Sequence, residues 1–345
     1  MSEPLELMGA PGSPYTRKML ALLRYRHIPY RVEWQSGGQS AGKPNRPAAK
    51  VGLLPTFYIP NEQGEITAVT DSTPLIRRFE EQFDGRHAVP SDPAVGFLNS
   101  LIEDYADEWL TKAMFHYRWH YEADIKKAGS ILPRWGAIST PDDEMAPMSQ
   151  YISERQISRL SCVGSNDTTK PLIEKSFRQF LEVFNTHLQS VPFLFGHRPS
   201  SADFAIYGQL TCLALFDPTP SAIIVNAFPR IYAWTETMED LSGLDIDDVE
   251  FLSVAALPDS LHALMDEIGR IYLPYLKANA EAVMTGADQV QTLLDGHEWT
   301  QNPFSYQAKC LAWLAEDAAG LDETARQSLT DLLGNSGILE QLSAR

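Results

Sequence analysis

Apolar positions in the first eighty residues follow two different periods. Leu5-Glu6-Leu7-Met8 is a short strand candidate that runs into Gly9-Ala10-Pro11-Gly12, a cluster of breakers that reads as a loop. Ser13-Pro14 opens a helix, because serine is a favoured N-cap and proline loses nothing at the first helical position. Met19, Leu22 and Leu23 then fall on one face, and the helix is predicted to end near Arg26. Tyr30-Arg31-Val32-Glu33-Trp34 alternates as a second strand, and a polar, glycine-rich loop spans 35–43. Two further β-rich runs, 56–59 and 66–69, flank Pro60-Asn61-Glu62-Gln63-Gly64-Glu65, which signals a hairpin. Asp71-Ser72-Thr73-Pro74 opens a helix through about Phe83.

A βαβ half followed by a ββα half is the thioredoxin-like arrangement, which assigns residues 1–83 to one domain. Residues 84–93 form a polar linker with Gly85, Pro90 and Pro93, and no strand is predicted beyond it. Helices are predicted around 94–122, 149–163, 172–189, 202–216 and 229–241, which assigns 94–257 to an all-α domain. After Ala256-Leu257-Pro258, further helices around 260–284, 305–318 and 323–333 make 258–345 a helical extension. The fold class is therefore α+β, and 345 residues exceed what one hydrophobic core usually organises.

A formal net charge of −17 argues against nucleic acid, whose binding rests on clustered lysine and arginine. No run of about 18 apolar residues suggests a membrane span. The acidic start Met1-Ser2-Glu3 is unlike a secretory leader, so a cytoplasmic protein is expected. Cys162, Cys212 and Cys310 are too few and too irregularly spaced for a disulfide framework or a zinc site.

Four separated segments resemble the glutathione S-transferase superfamily. Ser13-Pro14-Tyr15-Thr16-Arg17-Lys18 is similar to the serine-type motif whose hydroxyl meets the glutathione sulfur, with Arg17 at the family's basic position. Leu53-Leu54-Pro55 resembles the loop with a cis-proline, where the backbone of Leu54 would pair with the cysteinyl part of glutathione. Asp71-Ser72 resembles the acid and serine that grip the γ-glutamyl group. In the helical region, Ser200-Ser201-Ala202-Asp203 resembles the family's capping signature, a structural feature in which serine and aspartate satisfy each other's helix-end N–H groups.

The resemblance implies a thioredoxin-like domain, a helical C-terminal-type domain, glutathione as co-substrate, no metal and a homodimer. Lys50 is the candidate for the glycyl carboxylate, with Lys43 second, although the insertion 50–53 departs from the compact family loop. Tyr15, Trp109, His116 and Trp119 are candidates for the pocket of an apolar electrophile, the last three within an aromatic run that core or dimer packing would explain equally well. His116 and His120 stand one helical turn apart but suggest no third metal ligand.

A thiol near pKa 8.5 becomes a good nucleophile only as its thiolate, and a serine hydroxyl at a helix start can donate to that anion. Ser13 is then catalytic; its plainer role is an N-cap alone, and Ser72 and Asp71 have the same alternative. Cysteine at position 13 would point to thiol transfer, whereas serine points to conjugation of glutathione to an electrophile. The competing expectation is a non-catalytic binding or scaffold protein of the same fold, favoured by the extra C-terminal helices.

Overall fold

The computed structural model describes residues 3–35, 46–334 and 336–343. Strand β1 (Leu5–Gly9) leads through helix α1 (Pro14–Tyr25) to β2 (Tyr30–Trp34), followed by β3 (Thr56–Pro60), β4 (Ile66–Val69) and α2 (Ser72–Gln82). β1 and β2 pair in parallel, β3 lies antiparallel on the other side of β1, and β4 closes an edge, giving the order β2-β1-β3-β4. The thioredoxin-like domain thus has the predicted elements in the predicted order. Leu7, Phe57 and Ile59 of the sheet share a core with Met19, Leu22 and Leu23 of α1 and Leu75, Ile76 and Phe79 of α2.

The helical part begins with α3 (Pro93–Tyr105), capped by Asp92, which accepts from the N–H groups of Ala94 and Val95. A π-helical turn, Ala106–Leu110, carries α3 into α4 (Thr111–His120). Then come α5 (Glu122–Ile131), α6 (Asp142–Ile157), α7 (Lys170–His187), α8 (Ser201–Leu210), α9 (Pro218–Ala227) and α10 (Pro229–Thr237). Helices α5 and α9 were not expected from the pattern. α6 starts seven residues earlier than predicted because Asp142, Asp143 and Glu144 favour a helix N-terminus, while Pro147 inside it mimics a stop. At α8, Ser200 and Asp203 form the expected reciprocal capping box.

Beyond residue 257 lie α11 (Ser260–Glu267), a second π turn (Ile268–Tyr272), α12 (Leu273–Thr285), β5 (Val290–Leu294), β6 (His297–Gln301), α13 (Ser305–Ala319), α14 (Glu323–Leu333) and α15 (Ile338–Ser343). The β5-β6 hairpin overturns the expectation of no strand after the linker. Its turn is Asp295-Gly296, both with positive φ (49° and 76°), a two-residue geometry that matches the twist of paired strands.

This C-terminal region is packed into the rest of the chain. Trp299 lies 5.2 Å from Trp109, Tyr275 5.6 Å from Trp109 and Tyr272 5.6 Å from Tyr105, ring centre to ring centre. One contiguous buried cluster extends from Leu7 to Leu342. Cys212 and Cys310 are buried and Cys162 is exposed. No single helix among the described residues is long and apolar enough to cross a membrane.

Candidate functional site

The loop before α1 is tied down from several sides. Ser13 N–H donates to Ala10 O, Arg17 Nε to Pro11 O at 2.9 Å, and Arg118 of α4 to Gly12 O at 2.9 Å. Arg118 is itself held by a buried pair with Asp217 at 3.0 Å. Helix α8 passes directly beneath the start of α1: a Cβ on Gly208 would come within 2.5 Å of Pro14 O, so only glycine permits this approach.

Ser13 is half-buried and caps α1, its Oγ accepting from Thr16 N at 3.2 Å. The same hydroxyl donates to Leu54 O at 3.2 Å, joining the helix start to the loop that holds the cis Leu54-Pro55 bond. The hydroxyl and the Leu54 backbone, two of the expected glutathione contacts, therefore meet. Arg17 is a brace, spent on Pro11 and on Glu239 at 3.4 Å. Lys50 is exposed, and Lys43 lies outside the described residues.

At the start of α2, Asp71 adopts φ 87° and ψ 109°, a backbone state that side-chain-bearing residues rarely occupy and that surrounding structure must hold. Tyr306 Oη of α13 donates to Asp71 Oδ2 at 2.9 Å. Burial raises the Asp71 pKa, against lowering by the Tyr306 hydrogen bond, the Lys18 charge and the Thr73 backbone N–H. Ser72 is buried, and its Oγ accepts from Lys18 Nζ at 3.2 Å, which leaves the Ser72 proton to be donated elsewhere.

Lys18 is a site residue that the motif reading missed. Its ammonium is fully buried between Glu103 of α3 at 2.7 Å and Asp107 of the π turn at 2.6 Å. Burial opposes its charge, but the two carboxylates outweigh burial and raise its pKa. Glu103, which also accepts from Thr73 at 2.9 Å and from Ser201, is held low, whereas burial pushes Asp107 up to about 6. Lys18 sits on the apolar face of α1, one turn before Leu22. A charge on such a face must find partners, and that was the signal available in the sequence.

Of the two readings of the aromatic run, pocket lining or packing, Trp109, His116 and Trp119 are placed as packing would have them. Trp109, His116 and Trp119 are buried at 3%, 0% and 2% exposure, in the core and not along an open pocket. The reason for Trp109 is the C-terminal region, whose Tyr272, Tyr275 and Trp299 cover it, while its Nε1 donates to Ser176 at 2.8 Å. His116 is held by Ser165 at 2.7 Å and Glu174 at 3.2 Å, and burial lowers its pKa to about 4. Tyr15 is half-buried and donates to Asp107 O at 2.7 Å. A cavity of about 10 Å³ beside Trp109, Lys112 and Ser176 holds no more than a water. No group of three or more potential metal ligands occurs among the described residues.

Two more buried ionisable groups lie close by, Glu108 in the π turn and Lys112 in α4. Glu108 accepts from Gln307 of α13 at 2.7 Å, and burial, followed by the charges of Asp104 and Asp107, pushes it up to about 8. Lys112, lowered by burial to about 7, donates to Gln301 of β6 at 2.8 Å and lies 4.2 Å from the Tyr275 ring centre.

Residues 7–87 match the family model for the glutathione S-transferase N-terminal domain, and 147–241 that for the C-terminal domain, together just over half of the chain. No curated protein matches. Among solved structures, a GST-like protein from Pseudomonas syringae is 16% identical, with 69% of this chain and 67% of that one covered and a TM-score of 0.43. A glutathione S-transferase from Methylobacterium radiotolerans in complex with glutathione sulfonate is 16% identical over 72% of this chain and 95% of that one, with a TM-score of 0.42. A glutathione transferase from Burkholderia graminis with two glutathione molecules bound per subunit is 14% identical over 70% and 85%, at 0.43. With both family domains matched in order, and a thioredoxin-like sheet followed by helices, the chain belongs to the glutathione S-transferase superfamily.

Proposed function

We propose that this protein binds glutathione along the starts of α1 and α2 and activates its thiol for attack on an electrophilic small molecule. The observation that carries the reading is the 3.2 Å hydrogen bond from Ser13 Oγ to Leu54 O, which brings the candidate thiol ligand and the candidate cysteinyl ligand to one point. In this reading the cysteinyl N–H of glutathione takes over Leu54 O. The Ser13 proton is thereby freed to turn toward the sulfur.

Lowering the thiol pKa by about two units requires about 2.7 kcal/mol. A hydrogen bond to a charged acceptor contributes about 1.5–3 kcal/mol and a helix N-terminus about 0.3–1 kcal/mol, so Ser13 and α1 together supply about 1.8–4 kcal/mol, a range that spans the requirement. Ser72 would donate to the γ-glutamyl carboxylate, Asp71 would meet the γ-glutamyl ammonium, and Lys50 would serve the glycyl end. A homodimer remains the expectation from the family resemblance, and a cytoplasmic location the default expectation.

The test is turnover of glutathione with an aryl halide by the wild type and by Ser13→Ala, at saturating glutathione. The reading predicts a kcat loss of at least tenfold in the variant. Equal turnover would remove Ser13 from the chemistry. A second reading, a binding protein without catalysis, draws on the burial of Trp109, His116 and Trp119, the candidates for lining an electrophile pocket. Glutathione binding without turnover of any electrophile would favour it.

A further inference from the structure

We infer that Tyr306, delivered from the C-terminal region by α13, is a positioning residue of the glutathione site that holds the Asp71 carboxylate for the γ-glutamyl ammonium. The inference rests on the proposed glutathione-binding role. It adds a residue 235 positions away from Asp71, outside both matched family domains.

Three observations carry it. First, Asp71 keeps a rare backbone state at the start of α2 that the surrounding structure must hold, and Tyr306 of α13 is among the groups that meet its carboxylate there. Second, Tyr306 reaches it from a fixed base. The start of α13 is clamped by Asn279, which bonds both Phe304 N at 2.8 Å and Phe304 O at 2.9 Å, and by Gln307 on Glu108 at 2.7 Å. The Tyr306 ring is flanked by Phe304 and Trp313, each 6.2 Å away. Farther along α13, Asp317 pairs with Arg77 of α2 at 2.9 Å, so the helix that carries Tyr306 is tied to the helix that Asp71 precedes.

Third, the donor is neutral. Asp71 is influenced by Lys18 from α1, Glu103 from α3 and, through charge, by Asp107 of the π turn and Cys310 of α13. A second cation on Asp71 would compete with a ligand ammonium. A hydroxyl donor fixes one carboxylate oxygen, favours the ionised form and leaves the charge for the ligand.

The experiment is calorimetric binding of glutathione, and of its desamino analogue lacking the γ-glutamyl amine, to the full-length wild type and to Tyr306→Phe at several pH values. Tyr306→Phe is expected to bind glutathione about tenfold more weakly, the size of a hydrogen bond to a charged group. It should bind the desamino analogue as the wild type does. The pH below which glutathione binding fails should rise, because Asp71 loses a hydrogen bond that favours its charge. In an Asp71→Asn background, Tyr306→Phe should change nothing.

Unchanged glutathione affinity in Tyr306→Phe would overturn the inference. Tighter binding would also overturn it, showing a tyrosine that obstructs the ligand. An equal loss for both ligands would mean a general structural effect and would overturn it too. Absence of glutathione binding by the wild type would instead defeat the site reading, and the inference with it.

Discussion

Removing residues 258–345 should abolish folding, although the sequence pattern presents them as an extension. The truncated chain loses Tyr272, Tyr275 and Trp299, all buried and all in ring contact with Tyr105 or Trp109. Uncovering just Tyr105 and Trp109 on the remaining chain costs about 2 kcal/mol each. Asp104 loses its Tyr272 hydroxyl at 2.5 Å and Glu108 its Gln307 amide, at roughly 1 kcal/mol each for a lost partner. These four losses alone reach about 6 kcal/mol, within the total stability of about 5–15 kcal/mol usual for a domain. The further loss of Leu264, Met265, Ile268 and Ile271, all buried in the same cluster, adds to it. The assay is soluble yield and thermal unfolding, followed by circular dichroism, of 1–257 beside the full chain. Insoluble or non-cooperative material is expected. A soluble 1–257 fragment with a cooperative transition within a few degrees of the full chain would refute the reasoning.

Lys18→Met should destabilise the protein by about 4 kcal/mol at pH 7, because Glu103 and Asp107 lose their shared buried cation; urea unfolding reads this, and a loss under 1 kcal/mol contradicts it. Glu108 has its pKa raised to about 8, so its contribution to stability is full below about pH 4.5 and fades as the pH rises through 8. Glu108→Gln should therefore lose less stability than the wild type between pH 6 and pH 9, and parallel profiles from thermal melts would count against the assignment. Ser13→Ala should cost about 1 kcal/mol through loss of the α1 cap, whereas Ser13→Gly should cost only a few tenths. If the hydroxyl also serves the thiolate, both variants lose turnover alike, and a Ser13→Gly variant with wild-type kcat would limit Ser13 to capping.

How far the sequence could be read depends on whether a signal is local. Strands β1 to β4 and helices α1 and α2 are written in short-range alternation, breakers and caps, and they occur where the pattern puts them. The capping box at Ser200 and Asp203 is likewise a four-residue signal. The β5-β6 hairpin was legible too: Asp295-Gly296 between Val290, Thr292 and Leu294 on one side and Trp299 on the other is a strong turn signal amid helical surroundings. Tyr306 is different. Its link to Asp71 is purely tertiary, and nothing near either residue in the sequence predicts it. The burial of Trp109 was similarly hidden, since it depends on rings supplied by Tyr272, Tyr275 and Trp299. Lys18 lies between these cases: its position on an apolar face demanded partners, but only the fold could name Glu103 and Asp107.

Glutathione binding itself is measured by titration calorimetry at pH 7 on the wild type and Ser72→Ala, both as full-length chains. A wild-type dissociation constant between micromolar and low millimolar, roughly −8 to −4 kcal/mol, is predicted, with binding at least tenfold weaker in Ser72→Ala. Absence of wild-type binding at tens of millimolar glutathione, or equal affinity in the two proteins, would contradict a glutathione site at the start of α2.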